Sequence, residues 1–158
     1  LVAVRPPTGY HWVDCAAAAV EVYLGVLEGG IAGDGKYRTE LTRKAAVGCH
    51  IVSRLSRTFG SVRPRSYLVI GRLHWQQGRR WRALRAWRAA GREATRMDMP
   101  FERARARLEI GRHGLTPEPE LLLRDAARTF RSLGARQFEA AALAVCDPAP
   151  SKEWADVL

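Results

Sequence analysis

Residues 30–36 form the part of the sequence that most resembles a nucleotide-binding motif. They read GIAGDGK and fit the GxxxxGK portion of a P-loop, in which backbone amides and a lysine hold phosphates. The next residue is Tyr37, where a P-loop has the Ser or Thr whose hydroxyl holds Mg²⁺. A helix-like segment also precedes the motif, whereas a P-loop follows a buried strand. We therefore interpret residues 30–36 as a loop between helices and predict no cofactor.

The histidines and acidic residues do not form a metal-binding or catalytic pattern. The four histidines are His11, His50, His74 and His113. None belongs to an HxH or HxxxH sequence, and His74 is expected to be a packed core or groove residue. No arrangement of the Ser-His-Asp type is apparent. The sequence therefore predicts neither a metal site nor a catalytic site.

Two glutamates on one predicted helix, Glu102 and Glu109, could share a face because they are seven residues apart. Arg103, Arg105 and Arg112 are close enough in the sequence to neutralise them. We therefore expect solvated ion pairs at these positions rather than an acid–base site.

Arginines form a row along one face of the helix predicted over residues 79–97. The row consists of Arg85, Arg88, Arg92 and Arg96. The opposite face carries an apolar stripe of Ala83, Leu84, Trp87, Ala90 and Ala94. Such a row can be a solvated face, dock an acidic protein surface through Arg–carboxylate pairs, or bind phosphates. Because the aromatic residues do not interleave with the arginines, no stacking platform for single-stranded nucleic acid is expected.

The 158 residues are 47% hydrophobic and carry 26 basic against 16 acidic side chains, a net charge of +10. This composition predicts one folded domain, and no apolar run is long enough to span a membrane. Residues 61–112 contain 14 arginines and 4 acidic residues, whereas charges cancel in the remainder. The sequence begins with Leu1 and lacks a signal-peptide start, so we expect it to be part of a longer protein.

Cysteine usage predicts neither a disulfide framework nor a zinc site. Cys15, Cys49 and Cys146 are odd in number, widely spaced and without a CxxC pair. We expect all three to be buried, unreactive thiols in a cytoplasmic protein.

Apolar spacing and chain breakers predict an all-α fold, an irregular array of about seven antiparallel helices in an α-α superhelix. The predicted helices cover residues 10–28, 37–59, 64–77, 79–97, 100–113, 118–133 and 136–145. Pro64 is well placed to open the third helix. Residues 10–146 are predicted to form one helical domain, and residues 147–158 a disordered tail.

A short motif repeats at a 40-residue offset, since Ile70-Gly71-Arg72 recurs at residues 110–112. The first copy contains Tyr67, Gly71 and His74, and then Ala83 and Trp87, at the spacing of the tetratricopeptide (TPR) template. A small residue such as Gly71 lets the partner helix approach, and Tyr67 and Trp87 are expected to fill the space between helices.

The second copy of the repeat is weaker. It places Gly111 before Ala126 and Phe130, with a longer turn between the two helices. Leu24-Gly25 is interpreted as the mark of a degenerate third copy. The alternative to a TPR-like array is an unrelated helical bundle.

Several short motifs occur in an order that carries a family resemblance. They are Trp87-Arg88-Ala89, Met99-Pro100-Phe101-Glu102, the LEIGRH sequence of residues 108–113, and Phe130-x-x-Leu133-Gly134-Ala135. With these motifs, residues 10–145 resemble the C-terminal helical region of large bacterial proteins that join class III adenylate/guanylate cyclase domains to an AAA-type ATPase. Those proteins are similar in layout to soluble adenylyl cyclases.

The resemblance implies a non-catalytic, TPR-like scaffold or protein-interaction region of a signalling protein. The cyclase and ATP-binding sites of the family lie upstream of the matching region, so no catalytic residue is carried over. The expected partners of this TPR-like region are the ATPase and cyclase domains of the same chain or a separate protein or peptide. A membrane is not an expected partner. Similar tails follow ATPase domains in some kinases and transcription regulators, and there the basic segment would contact nucleic acid.

The first helix of each repeat usually lines the binding surface of such arrays, and the arginine row adds a basic face. The candidate interaction surface predicted in this way consists of Tyr67, Arg72, His74, Arg85, Arg88, Arg92, Arg96, Arg103 and Arg107.

Overall fold

The computed structural model describes residues 11–30 and 35–146, and the regular structure in these ranges is entirely helical. The helices are α1 (His11–Glu28), α2 (Gly35–Thr58), α3 (Arg63–Gln76), α4 (Arg80–Arg96), α5 (Pro100–Arg112), α6 (Pro119–Ser132) and α7 (Arg136–Cys146). A 3₁₀ turn at Gly60–Val62 precedes α3. The prediction of an all-α fold with about seven helices is confirmed, and no helix end moves by more than two residues. The predicted tail, and residues 31–34 of the P-loop-like stretch, lie outside the described residues.

Proline and glycine residues lie at the ends of helices where the sequence predicted them. Pro64 lies in the first turn of α3, where its missing amide proton costs nothing because that turn has no partner for it. Gly78 ends the turn after α3 with a φ of +71°, a left-handed conformation that glycine adopts without a steric penalty. None of the described helices is long and apolar enough to cross a membrane.

By its contacts the chain divides into two compact units, with the boundary between Glu93 and Ala94 within α4. In the first unit α1, α2 and α3 pack against one another. Their shared core consists of Val20, Leu24, Leu27, Leu41, Ala45, Cys49, Val69 and Leu73.

In the second unit α6 packs between α5 and α7. Its core consists of Ala104, Leu108, Leu123, Ala126, Ala127, Phe130 and Ala142. Phe101, Phe130 and Phe138 meet there with ring centroids 5.1–5.7 Å apart, a spacing at which aromatic pairs attract one another.

The contact between α3 and α4 is made where the repeat motif predicts a close approach. Trp87 is completely buried and its indole ring lies directly over Gly71. The indole nitrogen donates a hydrogen bond to the backbone oxygen of Leu68 at 3.2 Å. Tyr67 does not fill the space between these helices as predicted, because it is only partly buried and lines an open groove.

Two other helix pairs, α5–α6 and α1–α2, also meet at a glycine. Gly111 faces Leu123 of α6 at a distance that leaves no room for a Cβ atom, and Gly48 of α2 faces Val20 in the same way. No atom of the described part of the chain lies within 4 Å of the position that a Cβ of Gly25 would occupy. The interpretation of Leu24-Gly25 as a third copy is therefore wrong as to the packing glycine, because Gly48 makes the close contact between α1 and α2.

The cysteines differ in exposure, which corrects the prediction of three buried thiols. Cys49 is buried in the core of the first unit, whereas Cys15 is exposed and Cys146 is partly exposed. The spacing of Cys15 in an alanine-rich helix did not reveal that its side of α1 faces solvent.

Burial raises the pKa of the Cys49 thiol to about 12, because the thiolate would lose its hydration in the apolar core. We expect Cys49 to resist Ellman's reagent in the native protein at about pH 8, while exposed Cys15 reacts within minutes. Thiol titration of the Cys15→Ala and Cys49→Ala variants, with and without denaturant, checks this. Fast native labelling that disappears only in Cys49→Ala would contradict it.

Candidate functional site

Helix α4 has a buried face and a basic exposed face. The residues of the predicted apolar stripe, Ala83, Leu84, Trp87, Ala90 and Ala94, are all buried, as expected. Arg85, Arg88 and Arg92 lie on the other side of the helix and are exposed. The sequence thus assigned the two faces of this helix correctly.

A groove lies between α3 and α4 within the first unit and has a volume of about 530 Å³. Its lining consists of Tyr67, Ile70 and His74 from α3 and Arg82, Arg85, Ala86, Ala89 and Arg92 from α4. We call this the α3–α4 groove. It combines apolar side chains with three guanidinium groups, and none of the described residues that line it is acidic.

Trp81 extends the arginine face toward the start of α4. It is 68% exposed and shares a shallow depression with Arg85, Arg88 and Arg92. These four positions follow i, i+4, i+7, i+11, so they form one row along the helix. We call them the Trp–Arg row. Trp81 stands at the end of the row and not between the arginines, so the expectation that aromatic residues do not interleave with them is unchanged.

Many arginines outside α4 form ion pairs with carboxylates. Arg72 pairs with Glu28 through two hydrogen bonds of 2.7 and 2.9 Å, and its side chain is only 11% exposed. Arg65 similarly bridges Asp14 and Glu21 of α1. In the second unit such pairs are Arg107–Asp125, Arg112–Glu109, Arg128–Asp125 and Arg131–Glu139.

The basic face of α4 lacks this neutralisation. Within residues 11–30 and 35–146, no carboxylate forms an ion pair with Arg82, Arg85, Arg88 or Arg92. Like charges three or four residues apart on a helix repel one another. The face is therefore a concentrated positive charge that the described part of the chain leaves uncompensated.

The structure brings four of the nine predicted surface residues together in the α3–α4 groove, namely Tyr67, His74, Arg85 and Arg92. Arg88 lies beside them in the Trp–Arg row. Sequence reasoning missed Ile70, Arg82 and Trp81, although Trp81 stands at helical spacing, four residues before Arg85.

The remaining predicted surface residues have other surroundings. Arg72 is held by Glu28 as described above, and Arg107 pairs with Asp125 between α5 and α6. Arg103 is partly buried, and its Nε atom has no hydrogen-bond partner among the described residues. Arg96 is exposed near the end of α4 and belongs to the second unit. Arg72 and Arg107 are thus occupied by internal partners.

The expectation of solvated ion pairs on α5 is wrong for Glu109. Its residue is only 6% exposed, and its carboxylate pairs with Arg112 at 2.7 Å. His113 lies 3.7 Å from the same carboxylate oxygen. We interpret this pair as a structural contact near the C-terminal end of α5. Removal of Arg112 would leave the buried carboxylate of Glu109 without its positive partner.

The surroundings of His74 disfavour its protonated form. Burial lowers the pKa of His74, and the positive charges of Arg79 and Arg82 act in the same direction, while a hydrogen bond with Gln77 opposes them. His74 thus contributes stability that is fully present above its unfolded pKa of 6.5 and is lost as the pH falls below that value.

We therefore expect the wild type to lose more stability than His74→Gln when the pH falls from about 7.5 to about 5.5. Urea unfolding at the two pH values, compared between the proteins, measures the difference. An equal loss in both proteins would show that His74 titrates normally.

Among the described residues, no three His, Cys, Asp or Glu side chains are grouped so that they could hold a metal ion.

Comparison with known proteins gives no relative for this chain. No protein-family model matches it, and no similar protein was found among the curated proteins or the solved structures.

Proposed function

We propose that this chain is a non-catalytic, TPR-like scaffold that binds protein, within a larger cytoplasmic signalling protein. The parent proposed from the sequence resemblance is a bacterial protein that joins a class III nucleotide cyclase to an AAA-type ATPase. The partner is another domain of that chain or a separate protein. Paired helices with a groove between them suit this role, because rigid helices present side chains in a fixed arrangement.

The observation that carries the proposal is the α3–α4 groove with its uncompensated arginines. Interfaces concentrate their binding energy in arginine and aromatic side chains, and both types line this groove and the adjoining row. Arginine also forms bidentate pairs with carboxylates, which abound on protein surfaces.

Site-specific photo-crosslinking in the full-length parent protein tests this function. A benzoylphenylalanine placed at Ala89, which is partly buried in the groove, is expected to crosslink to one peptide segment that mass spectrometry identifies. Leu121 on α6 is 58% exposed and provides the control position. Equal crosslinking from both positions, or crosslinks to nucleic acid alone from Ala89, would refute a protein-binding groove.

The identity of the parent is tested separately by its reading frame. If the proposal holds, in-frame cyclase and ATPase domains precede this segment. A kinase or a DNA-binding effector in the same frame would overturn the cyclase assignment. The protein-binding function of the groove would then still be tested by the crosslinks from Ala89.

A second candidate function is contact with nucleic acid, and Trp81 is the observation that favours it. Exposed aromatic rings stack on bases, and the neighbouring arginines can pair with phosphates. This function requires binding to DNA that falls by orders of magnitude between about 50 and 200 mM salt and is lost in Arg88→Glu/Arg92→Glu. Absence of binding at low salt would eliminate it.

A further inference from the structure

Resting on the proposed function, we infer that the Trp–Arg row binds an acidic amphipathic helix whose carboxylates match the spacing of Arg85, Arg88 and Arg92. The row is straight, because all four of its members lie on one side of a single helix. Trp81 and Arg92 are eleven residues apart, about 16 Å along the axis. A partner helix lying along α4 presents side chains with the same repeat.

Charge complementarity identifies the partner as acidic. The three arginines of the row have no carboxylate partner in the part of the chain that the structure describes, and Arg82 adds a fourth positive charge on the groove side. Glutamates at i, i+4 and i+7 of an antiparallel helix would meet Arg92, Arg88 and Arg85 in turn. Each contact would relieve the repulsion between arginines as well as forming an ion pair.

The apolar surface beside the row favours a protein partner over a polynucleotide. Ile70, Ala86 and Ala89 supply the apolar part of the groove lining, against which an aliphatic side chain can pack. A partner helix supplies aliphatic residues one turn from its glutamates, whereas a nucleic acid has none to place there.

An ordinary solvated face would account for Trp81 taken alone. Single exposed hydrophobic residues are common on protein surfaces. An exposed tryptophan in line with three uncompensated arginines, however, combines the two residue types that dominate binding hot spots. The inference therefore rests on the combination of these features.

Fluorescence anisotropy of the whole 158-residue chain with labelled synthetic peptides tests the inference. The first peptide is a helix of about 18 residues with glutamates at i, i+4 and i+7 beside leucines, and the second has the same composition with the glutamates spread around the helix. A single-stranded oligonucleotide of equal charge is the third probe. We expect the first peptide to bind at least about tenfold more tightly than either of the others.

Variants locate the binding to the row. Arg85→Gln/Arg88→Gln/Arg92→Gln is expected to weaken the first peptide at least about tenfold, and Trp81→Ala about threefold or more. The matched control is Arg124→Gln/Arg128→Gln/Arg131→Gln, which removes three exposed arginines at similar spacing from α6 and lowers the net charge equally. It should change the affinity less than about twofold.

An equal loss of affinity in the two triple variants would show that binding depends only on net charge. Equal affinity for the two peptides would show that the spacing of the glutamates does not matter. Tighter binding of the oligonucleotide would assign the row to nucleic acid. Each of these outcomes overturns the inference. An Ala89 crosslink to a protein segment without an acidic helix would overturn it too, while leaving the proposed protein-binding function intact. Circular dichroism of both triple variants checks that they remain helical.

Discussion

Replacing Trp87 by alanine is expected to lower the free energy of unfolding by about 3–5 kcal/mol. The indole is completely buried between α3 and α4, donates a hydrogen bond to Leu68 and lies 6.1 Å from the ring of Trp75. Its removal leaves a cavity over Gly71 that rigid helix backbones cannot close. The loss therefore combines apolar transfer with unfilled space.

Urea unfolding followed by far-UV circular dichroism measures this change. Trp81→Ala is the matched control, since Trp81 lies on the same helix but is 68% exposed, and its effect should stay within about 0.5 kcal/mol. Comparable losses in the two variants would mean that the packing of α3 against α4 is not as described.

Adding a single methyl group at Gly71 is expected to destabilise the fold by about 1–3 kcal/mol. A Cβ atom there would stand 2.5 Å from Cδ1 and 2.8 Å from Cε2 of Trp87. The indole is completely buried and hydrogen-bonded to Leu68, so we expect α3 and α4 to separate to make room for the methyl group. This cost outweighs the helix propensity gained when alanine replaces glycine.

Gly25→Ala is the corresponding control because Gly25 is also inside a helix but has open space at its Cβ position. It should stabilise the protein by about 0.5–1 kcal/mol through helix propensity. The two glycine variants should therefore shift the unfolding midpoint in opposite directions. A stabilising Gly71→Ala variant would contradict the close approach of the two helices.

The sequence predicts local features of this fold well because their causes are local. Proline at the start of α3 and glycine after its end act on the backbone within a few residues, so helix bounds follow from them. The apolar stripe of α4 likewise depends only on helical periodicity. Trp87 was placed correctly because a glycine and an indole at the TPR spacing leave few packing solutions.

The candidate site was less predictable because its features depend on distant residues. Arg72 and Arg85 look alike in the sequence, and only the fold shows that Glu28, 44 residues before Arg72, neutralises one of them. Spacing shows which residues share a helix face but not which neighbouring helix covers that face. The errors at Tyr67, Cys15 and Glu109 all have this origin.

The ion pairs between α1 and α3 also set the alignment of these helices. Asp14, Glu21 and Glu28 recur every seven residues on α1, and Arg65 and Arg72 are seven residues apart on α3. Glu21–Arg65 and Glu28–Arg72 have the same sequence separation of 44 residues, so the two helices run in parallel and in step.

Sliding α1 along α3 by one helical turn would break these bridges together and leave guanidinium groups facing apolar neighbours. The close contact between Val20 and Gly48 of α2 would be lost in the same slip, so packing and ion pairs favour one register together. The acidic residues of α1 therefore help to fix the register of α1 against α3.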